Sequence, residues 1–253
     1  MQVTQKLKKL IRSLHQKQFR DQNGFFVVEG EKLVQELSKS NFLTDLVVIR
    51  DSPSPEVIEL AEFYSENGIP VYTAPKHLFD QLTDTKTPQS ILAIAGIQTV
   101  EPDYSKPFIA LDGVSDPGNV GTILRTASWF GFDQVILGRD CADAFNPKTV
   151  RSSMGAIFNV AIHQTPNLDL YIQDNYSSFK IYGATLHTDN SIEGIKIKSK
   201  FGIIFGSESK GISENVNKIV TNPFKIDGHG SSESLNVAIA AGITMHHFRR
   251  GMQ

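Results

Sequence analysis

Apolar residues recur at three- and four-residue spacings at Leu7, Leu10, Ile11 and Leu14, with basic residues between them. That spacing predicts an amphipathic helix over 3–18. Short apolar runs then alternate with helical patterns. FFVVEG (25–30) reads as a buried strand, EKLVQELSKS as a helix, DLVVIR (45–50) as a strand, and PEVIELAEFYSENG as a helix ended by Gly68. PVYTA and ILAIAGI add two strands, and this alternation predicts a small α/β/α domain over 1–97. QTVEPDYSKP (98–107) has no period and carries two prolines, so it is expected to be a linker. A second alternation occupies 108–253: FIALDGV, a helix over about 118–130, QVILG, a helix around PKTVRSSMG, NVAIHQ, a helix near 168–175, KIYGAT and FGIIFG. A short helix near 213–219, the strand FKID and an apolar helix over about 234–249 complete it. Strands this apolar are buried on both faces, which predicts a mostly parallel α/β sheet.

Composition narrows the class. The 253 residues suit two domains of ordinary size, and 40% hydrophobic with 21% charged residues describes a chain able to bury a core. No run of about 18 apolar residues occurs, and the N-terminus lacks the apolar stretch of a signal peptide, so no membrane span and a cytoplasmic location are expected. The single cysteine, Cys141, cannot form an internal disulfide, and the scattered histidines give no metal-ligand spacing, so no metal is expected. A net charge of -2 cannot draw the whole molecule onto nucleic acid, so RNA contact would need local patches. Lys8, Lys9, Arg12 and Arg20, with Lys6 and Lys17, all precede the first acidic residue, Asp21, and form one candidate RNA-binding patch. His246, His247, Arg249 and Arg250 form another. By charge alone, a solvated helix face is the readier explanation of each.

Several chemistries are excluded by spacing. Gly228-His229-Gly230-Ser231-Ser232-Glu233 has glutamate where a dinucleotide fingerprint needs its third glycine. Gly206 to Gly211 has P-loop spacing, but Ile212 stands in place of the phosphate-binding lysine. Ser209 has Ser207 two residues before it, where a nucleophile elbow needs glycine.

Three glycine-rich loops remain, each following a predicted strand, where open α/β sheets bind ligands. They are LDGVSDPGNVGTILRTASWFGFDQVIL (111–137), IIFGSESKGIS (203–213) and FKIDGHGSSESLNVAIAAGI (224–243). In order and separation they resemble the three motifs of the SpoU (TrmH-like) methyltransferase family. FFVVEGEKLVQEL upstream is similar to the opening of that family's substrate-binding domain. Asp227-Gly228 departs from the Pro-Met common at the start of the third motif, and Ala238 replaces a frequent serine.

The resemblance implies a small N-terminal α/β/α RNA-binding domain followed by a mostly parallel α/β sheet with a C-terminal trefoil knot. It implies S-adenosylmethionine as cofactor, methylation of a ribose 2′-hydroxyl, and a homodimer with active sites at the subunit interface. The nearly apolar final helix, with Leu235, Val237, Ile239, Ala241 and Ile243, agrees with a partner that covers it. Arg125, Asn119, Glu208, Ser234 and Asn236 match the positions given catalytic roles. Gly206, Phe205, Ser207, Gly211, Ile226, Leu235 and Asn236 match cofactor contacts. Glu208 is expected to fix Arg125 or its own loop, Asn236 to meet substrate or organise Asn119, and Ser234 to cap the final helix. Ribosomal RNA is the expected substrate, because the extra first domain resembles the ribosomal branch. The alternatives are a transfer-RNA 2′-O-methyltransferase and a noncatalytic RNA-binding ribosome-assembly factor.

Overall fold

The computed structural model describes residues 1–98, 100–197 and 200–252, which form two compact units. The first is Met1–Gln98 together with Phe145–Phe158; the second is the remainder of the described chain. Thr99 of the expected linker, and Lys198, Ser199 and Gln253 of the expected second domain, lie outside the described residues. In chain order the elements are α1 (Gln5–Ser13), α2 (Lys17–Asn23), β1 (Phe25–Glu29), α3 (Glu31–Ser38), β2 (Thr44–Arg50), α4 (Pro55–Glu66), β3 (Val71–Ala74), α5 (Lys76–Phe79) and β4 (Ile91–Gly96). They continue with β5 (Phe108–Asp112), α6 (Pro117–Trp129), β6 (Gln134–Leu137), α7 (Pro147–Ser153), β7 (Ala161–Gln164), α8 (Leu168–Asn175) and β8 (Lys180–Ala184). The last are β9 (Phe201–Gly206), α9 (Glu214–Asn217), β10 (Asn222–Phe224) and α10 (Val237–Gly251).

In the first unit the strand order is β1-β4-β2-β3, with β4 antiparallel to both β1 and β2, and β2 parallel to β3. One face sets Val27, Leu46, Val48, Leu92 and Ile94 against Ile11 and Leu14 beneath α1 and Phe79 and Leu82 at α5. The single helix expected over 3–18 is two helices. Gln16 is extended, and the turn is held by Arg20, whose Nη1 donates to the Leu14 carbonyl at 2.8 Å. α4 runs as expected from its serine cap, Ser54, through Pro55 in its first turn, and Gly68 beyond its end takes φ +78°.

The segment around α7 departs from the sequence division. Its position between two strands of the second alternation places it in 108–253, yet it packs into the first unit. Phe145 meets Phe26 of β1 at 4.8 Å between ring centroids, and Phe158 meets Phe42 at 5.4 Å. α7 buries Pro147, Thr149, Val150 and Ser153. Burial of these side chains decides the allegiance of the segment, and periodicity carries no information about which core a helix joins.

In the second unit the sheet order is β10-β8-β9-β5-β6-β7, and every neighbouring pair is parallel. One face carries Phe248 of α10, packed against Tyr182, Phe201 and Phe224 at centroid distances of 4.9, 5.2 and 6.0 Å. The other joins Phe108, Ile136, Ile181 and Ile204 to Leu168, Ile172, Tyr176 and Val216 on and beside α8 and α9. The last strand is Asn222–Phe224 instead of FKID, because Lys225 already turns away to form an isolated bridge with Ser191. The stretch expected as linker is pinned in part: buried Gln134 accepts from Asp103 N at 2.9 Å and donates to the Lys106 carbonyl at 2.9 Å. No helix among the described residues is long and apolar enough to cross a membrane.

Close packing leaves no room at Gly202 of β9, where an added Cβ would stand 2.1 Å from Cζ of the Phe108 ring. Gly202→Ala is therefore expected to cost about 1–3 kcal/mol of stability, as overpacked cores do. An unchanged urea midpoint would contradict this packing.

Candidate active site

The C-terminal ends of β5, β8, β9 and β10 open on one side of the second sheet, where side chains and loop backbone are free to meet a ligand. After β9 the chain makes a tight loop: Ser207 N donates to the Gly211 carbonyl at 3.0 Å, and Gly211 N donates back to the Ser207 carbonyl at 2.9 Å. Gly206 lies so close to this return that a Cβ would stand 2.0 Å from the carbonyl carbon of Gly211. Gly211 takes φ +66°, in the left-handed region that glycine occupies at least cost. Lys210 N donates to Ser207 Oγ at 3.1 Å, and Ser213 N to Asp112 Oδ2 at 2.6 Å, so the loop is held at both ends. Its tip presents Glu208.

α6 begins beside that tip. Asp116 caps it, accepting from Asn119 N at 3.0 Å, and Pro117 occupies its first turn. The Asn119 side chain donates through Nδ2 to Glu208 Oε1 at 2.5 Å and accepts through Oδ1 from Asn236 Nδ2 at 3.1 Å. Asn236 is the N-cap of α10: its Oδ1 accepts from Ala238 N at 2.9 Å and Ile239 N at 3.3 Å. Three segments far apart in sequence are thus joined by one carboxylate–amide–amide chain, Glu208–Asn119–Asn236, and both polar atoms of the Asn119 amide are committed.

A cavity of about 860 Å³ lies against this chain. Its walls are Ala184–His187 after β8, Phe205–Ile212 in the β9 loop, and the connection from Lys225 toward Leu235. Apolar walls come from Phe205, Ile212, Val220, Ile226 and Leu235; charged ones come from Glu208, Asp227 and Glu233 and from Lys210 and Lys225. Residues 228–235 make no hydrogen bond within the protein among the described residues, leaving their backbone N–H and C=O groups available to a ligand. A ligand with a flat aromatic ring, a cationic centre and a carboxylate suits such a lining, and S-adenosylmethionine has all three. Among the described residues no group of three histidine, cysteine, aspartate or glutamate side chains is placed to hold a metal ion.

The expected residues distribute unevenly. Phe205, Gly206, Ser207, Glu208, Gly211, Ile226, Ser234 and Leu235 line the cavity. Arg125, six residues along α6 from Asn119, is exposed, and its side chain carries no hydrogen bond or ion pair among the described residues; Glu208 holds Asn119 in place of Arg125. Ser234 does not cap α10, which starts at Val237 with Asn236 as its cap. In the first unit Lys9 and Arg12 are exposed, and Lys8 bonds Gln81. Arg20 is 1% exposed and bonded to the Leu14 carbonyl, so the RNA-binding role expected for it is corrected to a structural one. Burial pushes the Cys141 thiol up to about 11, and its Sγ faces the Leu111 carbonyl at 3.1 Å, so it stays protonated at neutral pH and is a poor nucleophile. The sequence reading missed the β8 loop at Ala184–His187, although its place after a parallel strand was the available signal.

Residues 106–246 match the SpoU rRNA Methylase family, and residues 5–93 match the MRM3-like substrate binding domain. The chain is 33% identical over 240 residues to the 23S rRNA (guanosine(2553)-2'-O)-methyltransferase RlmP of Bacillus subtilis, covering 94% of each chain. The AdoMet-bound rRNA methyltransferase from Sinorhizobium meliloti superposes with a TM-score of 0.88 at 27% identity, covering 100% of this chain and 98% of that one. The SpoU methyltransferase AviRb from Streptomyces viridochromogenes shares the fold, with a TM-score of 0.86 at 19% identity over 99% and 98% of the two chains.

The capping geometry separates Asn236 from Ser234. Asn236→Ala is expected to lower stability by about 1–2 kcal/mol by removing the α10 cap, whereas Ser234→Ala stays within about 0.5 kcal/mol of the parent. Urea denaturation of both variants checks the order, and equal losses would contradict it.

Proposed function

We propose that this chain, which belongs to the SpoU rRNA methylase family, is an S-adenosylmethionine-dependent enzyme that methylates a ribose 2′-hydroxyl of ribosomal RNA. The observation that carries the reading is the Glu208–Asn119–Asn236 chain against the cavity wall, because it draws the three motifs into one site. Ribosomal RNA is favoured over transfer RNA because the relative matched over nearly the whole chain acts on 23S rRNA. Selection of the RNA is assigned to the first unit, which matches a substrate-binding domain and exposes Lys9 and Arg12 on α1.

The cofactor, when bound, supplies a methyl group on a sulfonium sulfur. The chain must position the ribose hydroxyl and stabilise the charge that develops on its oxygen. Arg125 is assigned that electrostatic task, with bidentate contact to an RNA phosphate. A guanidinium with a pKa above about 12 is a weak candidate for general base. The hydroxyl proton is therefore assigned to a phosphate oxygen of the RNA, with Arg125 as its ionic partner. Glu208 and Asn236 act through Asn119, whose amide they hold in one orientation.

A homodimer belongs to the same reading. α10 leaves Ile239 55% and Ile243 41% exposed, and neighbouring α6 leaves Trp129 81% exposed. This apolar patch gains most if a second copy covers it. Arg125 sits one turn before Trp129 on the same side of α6, which would put it at the subunit boundary. Threading of the C-terminal segment as a trefoil knot and a cytoplasmic location are also part of the proposal.

Incubation of the purified chain with tritiated S-adenosylmethionine and separate ribosomal and transfer RNA tests the reaction. Label is expected in a 2′-O-methylated nucleotide of ribosomal RNA, and Arg125→Ala is expected to lose at least about 100-fold in rate while still binding cofactor. Failure of the folded parent to bind cofactor would favour a noncatalytic RNA-binding protein. In sedimentation, Ile239→Glu is expected to convert a dimer to a monomer; a monomeric parent would overturn the dimer.

A further inference from the structure

Asp227-Gly228 is the sequence departure that the proposed chemistry leaves unexplained, and the structure gives it a partner. β10 is an edge strand, and residues 189–192 run along it. Lys225 N donates to the Asn190 carbonyl at 2.9 Å, Ile192 N donates to the Lys225 carbonyl at 2.9 Å, and Asn190 Nδ2 donates to the Pro223 carbonyl at 3.2 Å. At the end of this strap the Ser191 hydroxyl donates to Asp227 Oδ2. Ser191 Oγ in turn accepts from Glu193 N at 3.2 Å, which leaves its own proton directed toward the Asp227 carboxylate. Beyond Asp227 the chain makes no hydrogen bond within the protein, among the described residues, until Asn236. The cavity-lining connection is therefore suspended between two side-chain ties, Ser191–Asp227 at one end and Asn119–Asn236 at the other.

We propose that Asp227 and Ser191 together form a positioning tie that holds the third glycine-rich loop over the cavity, so that the loop backbone is ordered before the cofactor binds. The need is physical. Gly228 has no atom within 4 Å of where a Cβ would be, and Gly230 is equally open, so neither neighbouring side chains nor packing restrains the loop there. Glycine has the most conformational freedom to lose, and a ligand that orders such a loop gives up affinity in doing so. A charge-assisted hydrogen bond at the loop's entry removes part of that cost in advance. The strap supplies the fixed point, because its own backbone is already paired to the edge strand.

The inference rests on reading the cavity as the cofactor site, and two measurements keep the two apart. Ser191→Ala, Asp227→Ala and the double variant are titrated with S-adenosylmethionine by calorimetry. Each single change is expected to weaken binding roughly three- to tenfold, the double no further, and Ser191→Thr to stay near the parent. Separately, cleavage after Glu233 by a glutamyl endopeptidase, followed by mass spectrometry without cofactor, is expected to quicken by a similar factor in both single variants. Losses that multiply in the double variant, or cleavage and affinity that do not change, would overturn the tie. A parent that binds no S-adenosylmethionine would overturn the reading of the cavity, and the cleavage rates would still decide whether the tie holds the loop.

Discussion

The approach of backbone to backbone at Gly206 is the constraint from which the rest of the site follows. Because no Cβ intervenes, the strand end lies directly against the returning Gly211–Ile212 peptide, and the loop closes with reciprocal Ser207–Gly211 hydrogen bonds. That closure sets the position of Glu208. Glu208 fixes one end of the Asn119 amide, and Asn236 fixes the other while capping α10. A bulkier residue at 206 would open the loop and release all three side chains together, so a glycine with no chemistry of its own governs the polar network.

The sheet beneath makes this arrangement rigid. Its inner strands are buried on both faces, with aromatic rings from α10 on one side and from the α8 region on the other. Parallel strands all end on the same edge, so their loops must share one surface. Convergence of separated motifs is therefore a consequence of topology, and the hydrogen bonds between them only select one geometry from those that topology allows.

The first unit shows a different use of burial. Glu29, 7% exposed, accepts from the Thr85 hydroxyl and lies 3.6 Å from Arg151, which arrives on the α7 segment. Beside it Phe26, Phe42, Phe145 and Phe158 form an aromatic cluster. A helix whose sequence neighbours are strands of the other sheet is thus held by rings and by a charge pair. Arg20 similarly spends its guanidinium on a carbonyl of its own unit, while Lys9 and Arg12 on the neighbouring helix remain in solvent.

Periodicity and glycine placement in the sequence were enough to mark nearly every strand, the two-domain character and the three loops, because burial on a sheet face and tight turns impose local residue choices. The order of the three motifs was legible only through the resemblance to the SpoU family. Pairing of Glu208 with Asn119, the capping of α10 by Asn236, and the burial of Arg20 were not legible, since each depends on what a side chain meets across long separations in sequence. The split of the first helix at Leu14–Gln16 and the transfer of Phe145–Phe158 to the first unit belong with them. Local sequence determined which elements form; only tertiary packing decided which core each joins and which polar atoms are satisfied, because those energies exist only once distant segments are in contact.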